Sequence, residues 1–305
     1  MNASSPSAVS SQAYRQDPRN DDVQVYVNGE FVHRSQAVVS VFDSGYVCGD
    51  GVWEGLRLIN GRLISLDAHL DRLLAGAAAI RLDIGHSRAE LIDILLRTLA
   101  INGMTDGAHL RLMITRGRKS TPNQDPRFIL GGATVVCVAE YKVVDEAAKQ
   151  RGLALFTSSY RTSTPDVFDL RLNSHSRLNL IQALLQAIEA GADEALMLDP
   201  HGFVASCNST NFFIVRRGEL WTSSGRYCFN GITRQTVIDL ARAHGLTVRV
   251  DDFTLAEALT ADEAFVTGTL AGITPVRKLD GREFDPTQRH ITQQLKACYQ
   301  TFIET

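Results

Sequence analysis

The sequence predicts an α+β fold, in which strands and helices occupy separate stretches of the chain. Three observations support this prediction. The β-branched run 23–27 meets Asn28-Gly29, a dipeptide typical of a tight hairpin turn. Apolar residues at helical spacing follow over about 66–82. Two further β-rich runs then occur at 109–115 and 134–140.

The remaining elements of the first half follow from local signals. Residues 1–20 are polar and predict a disordered arm, so that structure begins at Val23. A strand is expected over 38–42. A second helix is expected from Ser87, whose hydroxyl forms a capping box with Glu90, to about residue 102.

The second half predicts short strands and two helices after a polar linker at 145–150. Its expected elements are strands at 153–158, 194–199, 211–215, 246–250 and 263–268, and helices at about 177–189 and after Gly231. The chain is therefore expected to have an N-terminal α+β domain at 21–145 and a second domain at 150–305.

Composition excludes several classes of function. The formal net charge is −3 and no basic run occurs, which argues against binding to nucleic acid or an anionic membrane. The five cysteines are odd in number and none form a CxxC pair, so neither a disulfide framework nor a metal site is expected. No secretory signal or membrane-spanning apolar run is visible, which predicts a cytoplasmic protein.

Three segments carry groups that bind anions. The sequence NGITR (230–234) precedes a predicted helix, whose first amides would face an anion. The sequence TGT (267–269) follows a strand and offers hydroxyls and backbone amides. The sequence AHLDRL (68–73) presents Arg72 from a helix. Each segment alone is equally compatible with a plain helix cap or a solvated arginine.

Together with their neighbours, these segments resemble the class IV aminotransferases, the branched-chain and D-amino-acid aminotransferase family. The resemblance covers about 25–281 and includes FDSGYVCGDGVWEGLRLING, HLDRL, LRLMITRG, GADEALMLD, STNFFIV, NGITR, ADEAFVTGT and ITPVRKLDG. It implies a two-domain fold, with the phosphate cup for pyridoxal phosphate (PLP) in a C-terminal α/β barrel-like domain. It also implies a homodimer, and, for an ordinary member, branched-chain or related amino acids with 2-oxoglutarate as acceptor.

The resemblance assigns roles to individual residues. It implies that the cofactor phosphate is bound by Arg72, Gly231, Ile232, Thr233 and Thr269. Tyr46 and Arg116 match positions at which the D-amino-acid enzymes hold the substrate carboxylate. Arg111 lies near a position of the branched-chain substrate pocket. For Arg111 and Arg116, salt bridging at strand ends is an equally good interpretation.

The family's Schiff-base lysine has no counterpart in this chain. The resemblance places Asn173 at that position, within DLRLNSHSRLN (169–179), and the only lysines are Lys119, Lys142, Lys149, Lys278 and Lys296. In the family this amine carries the cofactor as an internal aldimine and moves a proton at the substrate Cα. An amide does neither, and a guanidinium remains protonated.

A second departure has the same direction. The family glutamate that keeps the pyridine nitrogen charged is matched by Ser206, and the family tyrosine near the phenolic oxygen is matched by Arg177. His175, Arg171 and Arg177 are then candidates for acid–base and anion-binding roles. A lone loop histidine is more often structural.

Three hypotheses follow from this pattern. The first is an enzyme whose lysine-independent chemistry acts on an amino-acid-like or phosphorylated ligand, with PLP bound non-covalently if it binds. The second is a non-catalytic pseudoenzyme that binds a ligand or a partner. The third is a slow branched-chain-type aminotransferase, which ranks last because base catalysis and activation of the cofactor are lost together.

Overall fold

The structure is a computed structural model that describes residues 11–12 and 14–305. Its fold class is α+β, as the sequence predicts. In chain order, strands β1 to β17 are Tyr14–Arg15, Gln24–Val27, Glu30–His33, Gly51–Ile59, Arg62–Leu63, Ala108–Thr115, Thr134–Tyr141, Val143–Val144, Leu153–Thr157, Glu194–Leu198, Val204–Cys207, Asn211–Arg216, Glu219–Thr222, Val248–Val250, Glu263–Gly268, Gly272–Leu279 and Arg282–Glu283. Helices α1 to α9 are Ser44–Cys48, Leu66–Ala79, Arg88–Ile101, Glu146–Arg151, Pro165–Phe168, Leu178–Glu189, Ile232–Ala243, Leu255–Leu259 and His290–Glu304. Short 3-10 helices are Pro18–Asp22, Arg34–Gln36, Pro126–Phe128 and Pro286–Gln288.

The chain divides into two compact units. The N-terminal unit consists of Gln16–Val143 and the separate segment Leu172–Arg177. The C-terminal unit consists of Val144–Arg171, Leu178–Thr305 and the described residues up to Arg15. Asn173 therefore belongs, by its contacts, to the N-terminal unit, although it lies in the second half of the sequence.

The N-terminal unit is built on a six-stranded antiparallel sheet in the order β3-β2-β7-β6-β4-β5. The predicted hairpin joins β2 to β3, with Val27 opposite Glu30. Asn28 and Gly29 have φ values of 50° and 103°. Positive φ at both central residues is what this hairpin turn requires, and Asn-Gly adopts it at little cost.

One face of this sheet forms the core of the N-terminal unit. Burial alternates along β6, so that Leu110, Leu112 and Ile114 face the core and pack with leucines of α2 and α3 such as Leu70 and Leu95. Burying each such side chain stabilises the fold by about 1.5–3 kcal/mol. The capping box predicted at Ser87 and Glu90 is present at the start of α3.

The C-terminal unit contains a mixed sheet in the order β11-β10-β9-β16-β15-β12-β13-β14, with β17 paired to β16. Strand β9 is parallel to both β10 and β16. Phe213 and Phe265 stack with ring centroids 4.9 Å apart. Helix α6 packs against β10 through Ala183 and Ala187. No helix among the described residues is long and apolar enough to cross a membrane.

Three local predictions differ from the structure. The strand expected over 38–42 is wrong: these residues form no strand, and Val38 is 75% exposed, because no neighbouring strand pairs with them. The segment expected as a linker forms most of α4, Glu146–Arg151. Regular structure begins ahead of Val23, with β1 and the helix Pro18–Asp22. Of the expected disordered arm, residues 1–10 and 13 lie outside the described residues.

Candidate functional site

The segment Leu172–Arg177 extends the edge of β4 in the N-terminal unit. The Trp53 amide donates to the Asn173 carbonyl at 2.9 Å, and the His175 amide donates to the Gly51 carbonyl at 3.0 Å. Gly51 makes this approach possible, because a Cβ there would lie 2.5 Å from the Ile114 oxygen. Backbone pairing thus fixes Asn173 beside the residue that follows Trp53 in β4.

That residue is Glu54, a carboxylate with no exposed surface. Arg72 donates to it twice, from Nε at 2.7 Å and from Nη2 at 2.8 Å. His69, one helical turn before Arg72 on α2, lies with Nδ1 2.7 Å from Oε2. Burial alone would raise the pKa of Glu54, but the hydrogen bonds from Arg72 and His69 outweigh it and the pKa is lowered. Glu54 is therefore ionised at neutral pH.

The Asn173 side chain is hydrogen-bonded at both ends. Its Nδ2 donates to the Trp53 carbonyl at 2.6 Å and to Glu54 Oε1 at 3.3 Å. Its Oδ1 accepts a hydrogen bond from Arg177 Nη2. The amide thus serves as a neutral bridge between a carboxylate and a guanidinium, and it carries no amine that could attack a carbonyl carbon.

Two guanidinium groups lie at the ring of Trp53. The Arg111 guanidinium carbon is 3.6 Å from the ring centroid, and that of Arg177 is 5.5 Å away. Arg177 Nε and Trp53 Nε1 each donate to the Ser174 carbonyl at 3.0 Å. Burial, followed by the positive charges of Arg111 and Arg72, lowers the pKa of Arg177 to about 10. The surroundings of Trp53 are therefore electropositive.

His175 is the histidine of this segment. Its Nε2 is buried and has no hydrogen-bond partner among the described residues. Burial and then the charge of Arg111 lower its pKa, so the ring is neutral at neutral pH. A neutral imidazole with an unpartnered nitrogen is able to take up or donate a proton. Its acid–base role stays a prediction.

The other predicted side chains of the N-terminal unit and its neighbourhood are engaged differently. Arg116 pairs with Asp50 at 2.6 Å and also donates to the carbonyls of Ile80 and Arg81. Tyr46 is 75% exposed. In the C-terminal unit, Arg171 pairs with Asp169 at 2.6 Å. The contacts of Arg116 and Arg171 favour structural roles.

The C-terminal unit brings two predicted phosphate segments together. Gly231 precedes α7, receives no side-chain cap, and donates its amide to Asn211 Oδ1 at 3.0 Å. A Cβ at Gly231 would lie 2.4 Å from that oxygen, so glycine is required. Ile232 and Thr233 begin the helix, and their amides have no acceptor within it. Asn211 is also the strand partner of Thr267, which places TGT beside NGITR.

Two further features mark this place as an anion site. The hydroxyl of Thr267 is buried and has no partner among the described residues. Arg234 is 5% exposed and donates from Nη2 to the Ser223 carbonyl at 2.6 Å, while its Nε is unpartnered among the described residues. Buried donors of this kind are normally satisfied. An anion at the start of α7 would also face the positive end of the helix dipole.

The position matched to the family glutamate carries only a hydroxyl. Ser206 lies in β11, is 6% exposed, and donates to the Cys207 carbonyl at 3.1 Å. A hydroxyl is able to hydrogen-bond a ring nitrogen but supplies no charge. Thr269 follows β15 and is half-buried.

Sequence reasoning did not single out Trp53, Glu54 or Arg234. The signal for Glu54 was a carboxylate inside the apolar run of a strand, where a charge needs a partner. Arg234 lay within the NGITR motif but was not assigned a role. Within the described part of the chain, no group of three or more His, Cys, Asp or Glu side chains is arranged to hold a metal ion.

Comparison with known proteins identifies the family. A model of the amino-transferase class IV family matches residues 51–279. The match covers well over half of the chain, and with the two-unit α+β fold it leads to one conclusion. The chain belongs to the class IV aminotransferases.

Similar proteins include members with different labels. A putative branched-chain-amino-acid aminotransferase of Methanocaldococcus jannaschii is 40% identical, over 90% of this chain and 94% of that protein. The branched-chain-amino-acid aminotransferase-like protein 2 of Arabidopsis thaliana is 39% identical over 94% of this chain and 51% of its own length. The chain thus spans about half the length of that relative.

The fold is shared with solved structures of the family. The branched-chain aminotransferase of the thermophilic archaeon Thermoproteus uzoniensis, solved with norvaline, has a TM-score of 0.82 and is 30% identical, over 92% of this chain and 95% of that one. A bacterial-type relative, a branched-chain amino acid aminotransferase complexed with N-(5'-phosphopyridoxyl)-L-glutamate, has a TM-score of 0.85 and is 28% identical. That alignment covers 93% of this chain and 94% of the other. The second enzyme binds a pyridoxal phosphate derivative.

Proposed function

We propose that this chain binds a phosphorylated or amino-acid-like anion without covalent attachment, and that its chemistry does not use a lysine. PLP is one such ligand. The observation that carries the proposal is the Asn173 amide, which is hydrogen-bonded to Glu54, the Trp53 carbonyl and Arg177. A side chain held in this way at the position matched to the family lysine completes a neutral network.

The residues of the C-terminal unit fit the phosphate of PLP. The orphaned Thr267 hydroxyl, the uncapped start of α7 and the buried Arg234 guanidinium all support an anion there. When bound, PLP supplies a ring that withdraws electrons from the Cα of an amino acid. In this chain Ser206 offers that ring a hydroxyl and no charge, and no lysine lies between residues 150 and 277.

The alternative functions are distinguishable by activity. A pseudoenzyme would bind the ligand without turnover. A slow branched-chain-type aminotransferase would transfer an amino group from leucine to 2-oxoglutarate, at a rate that His175 rather than a lysine limits. The neutral His175, with its unpartnered Nε2, is the observation that keeps an enzymatic role in view.

Removing one hydroxyl at the start of α7 tests the phosphate site. We expect Thr233→Ala to weaken binding of PLP, and of inorganic phosphate, by about tenfold, the equivalent of one lost charge-assisted hydrogen bond. Binding is measured by titration calorimetry. Thr236→Ala is the matched control, because the Thr236 hydroxyl bonds to the Ile232 carbonyl within the same helix at 3.1 Å. Equal affinities of the two variants would refute the site.

A homodimer is also part of the proposal. Helix α6 exposes an apolar stripe with Leu178, Ile181, Leu185 and Ile188 each more than half exposed. These residues recur every three or four positions, the spacing of one helix face. A stripe of this kind is typical of a surface that another chain covers.

A charge in this stripe tests the dimer. We expect Leu185→Lys to raise the dimer dissociation constant about a hundredfold, because an apolar contact is lost and an ammonium is buried. Sedimentation velocity measures the change. Leu96→Lys on α3 is the control, since Leu96 and Leu185 are both 52% exposed. A wild-type monomer, or the same dimer in both variants, would contradict the proposal.

A further inference from the structure

The carboxylate of an amino-acid-like ligand needs a cationic partner within the protein. Arg116 was one candidate from the sequence, but its guanidinium is held by both carboxylate oxygens of Asp50 and by two backbone carbonyls. Arg72 is held in the same bidentate manner by Glu54. Binding a second carboxylate at either residue would compete with an existing ion pair.

Arg111 differs from both. It projects from β6 on the face opposite the core, and its guanidinium stacks on Trp53 at 3.6 Å. It makes no hydrogen bond or ion pair with any described residue. Its planar fork of donors therefore remains available for a bidentate carboxylate.

Arg177 adds a second positive charge at the same ring. Its guanidinium carbon is 5.5 Å from the Trp53 centroid, and its hydrogen bonds to Asn173 and Ser174 end on neutral oxygens. In the N-terminal unit, Arg72, Arg111 and Arg177 act on one another, and Glu54 is the carboxylate that acts on Arg177. This cluster carries more positive than negative charge.

His109, a neighbour of Arg111 on the same face of β6, reports the same excess. Burial and the positive charges of Lys142, Arg111 and Arg57 lower the pKa of His109 to about 3. A bound anion would reduce this repulsion for every cation around Trp53.

We propose that Trp53, Arg111 and Arg177 form a carboxylate subsite, so that the ligand of this chain is a small carboxylic acid with an apolar body against the indole. Arg111 supplies the bidentate contact and Arg177 supplies the second charge. The proposal deepens the proposed function and rests on its premise that the ligand is an amino-acid-like anion.

The test compares a carboxylate with its uncharged isostere. In a Trp221→Phe background, Trp53 is the only tryptophan, because the chain contains two. Its emission is titrated with 4-methylpentanoate and with 4-methylpentanamide, and calorimetry on the wild-type chain repeats both titrations. We expect saturable binding of the carboxylate, and at least tenfold weaker binding of the amide.

Single substitutions locate the contact. Arg111→Gln and Arg177→Gln are each expected to weaken 4-methylpentanoate binding at least tenfold. Arg97→Gln is the matched control in the same unit, since Arg97 lies 5.3 Å from the Phe31 ring and should leave binding unchanged. Arg111 is exposed and has no hydrogen bond to a described residue to lose, so this variant carries the test even where Arg177→Gln fails to fold.

Two results would overturn the subsite: equal affinity for amide and carboxylate, or wild-type affinity in Arg111→Gln. Failure of the proposed phosphate site is a separate result, because it appears as unchanged PLP and phosphate binding in Thr233→Ala. Carboxylate binding at Trp53 that persists without PLP binding would support the subsite and refute the phosphate site alone.

Discussion

PLP mixed with the wild-type chain is expected to dialyse away completely after borohydride reduction, whereas Asn173→Lys is expected to retain it covalently. The wild-type result follows because residue 173 is an amide whose donors and acceptor are all hydrogen-bonded. The measurement is the mass of the denatured protein and its absorbance after reduction.

The gain in Asn173→Lys has a physical reason. Residue 173 is 5% exposed and adjoins the Arg177 guanidinium. Burial and a neighbouring positive charge both lower the pKa of an amine, and Glu54 opposes them weakly because Arg72 already pairs with it. A fraction of the lysine is then neutral and nucleophilic at neutral pH.

Controls separate the site from chance modification. Asn123→Lys adds a lysine in the loop after β6 and should not retain the cofactor. Asn173→Lys combined with Arg177→Tyr removes the crowding guanidinium and should retain at least as much cofactor. Covalent cofactor on the wild-type chain would mean that one of its own lysines reaches the site, and the lysine-independent proposal would then be abandoned.

Glu54→Gln is expected to lower the free energy of unfolding by about 3–5 kcal/mol, the usual cost of removing one partner of a buried ion pair. Glu54 has no exposed surface and is bonded to Arg72, His69 and Asn173. Its loss leaves the Arg72 charge without its bidentate partner. Urea denaturation followed by circular dichroism measures the change.

The pH dependence of this effect has a definite sign. The folded-state pKa of Glu54 lies below its model value of 4.5. Its contribution is therefore fully present above pH 4.5, and it is lost as the pH falls through the folded pKa. The difference between wild type and Glu54→Gln should be constant near neutral pH and should shrink in acid.

An exposed ion pair provides the comparison. Asp71 is 72% exposed and pairs with Arg88 at 2.5 Å, so Asp71→Asn should cost about 0–1 kcal/mol. Similar losses in both variants would show that Glu54 is not the charge that holds this cluster together.

Much of the fold was accessible from local sequence. The Asn28-Gly29 hairpin, the Ser87 capping box and the glycine before α7 all depend on residues a few positions apart, so short-range chemistry determines them. The β-branched residues at 38–42 have the same local preference for a strand, yet they form none. Strand formation needs a partner, which a local pattern does not supply.

The sequence by itself determined the family motifs, the two phosphate segments of the C-terminal unit, and the absence of any lysine between residues 150 and 277. Only the tertiary structure placed Asn173 against Glu54, a residue 119 positions earlier in the chain. Likewise only the structure stacked Arg111 on Trp53 while Arg116 was paired with Asp50. Such pairings depend on sheet register and side-chain packing, which arise from contacts distant in sequence.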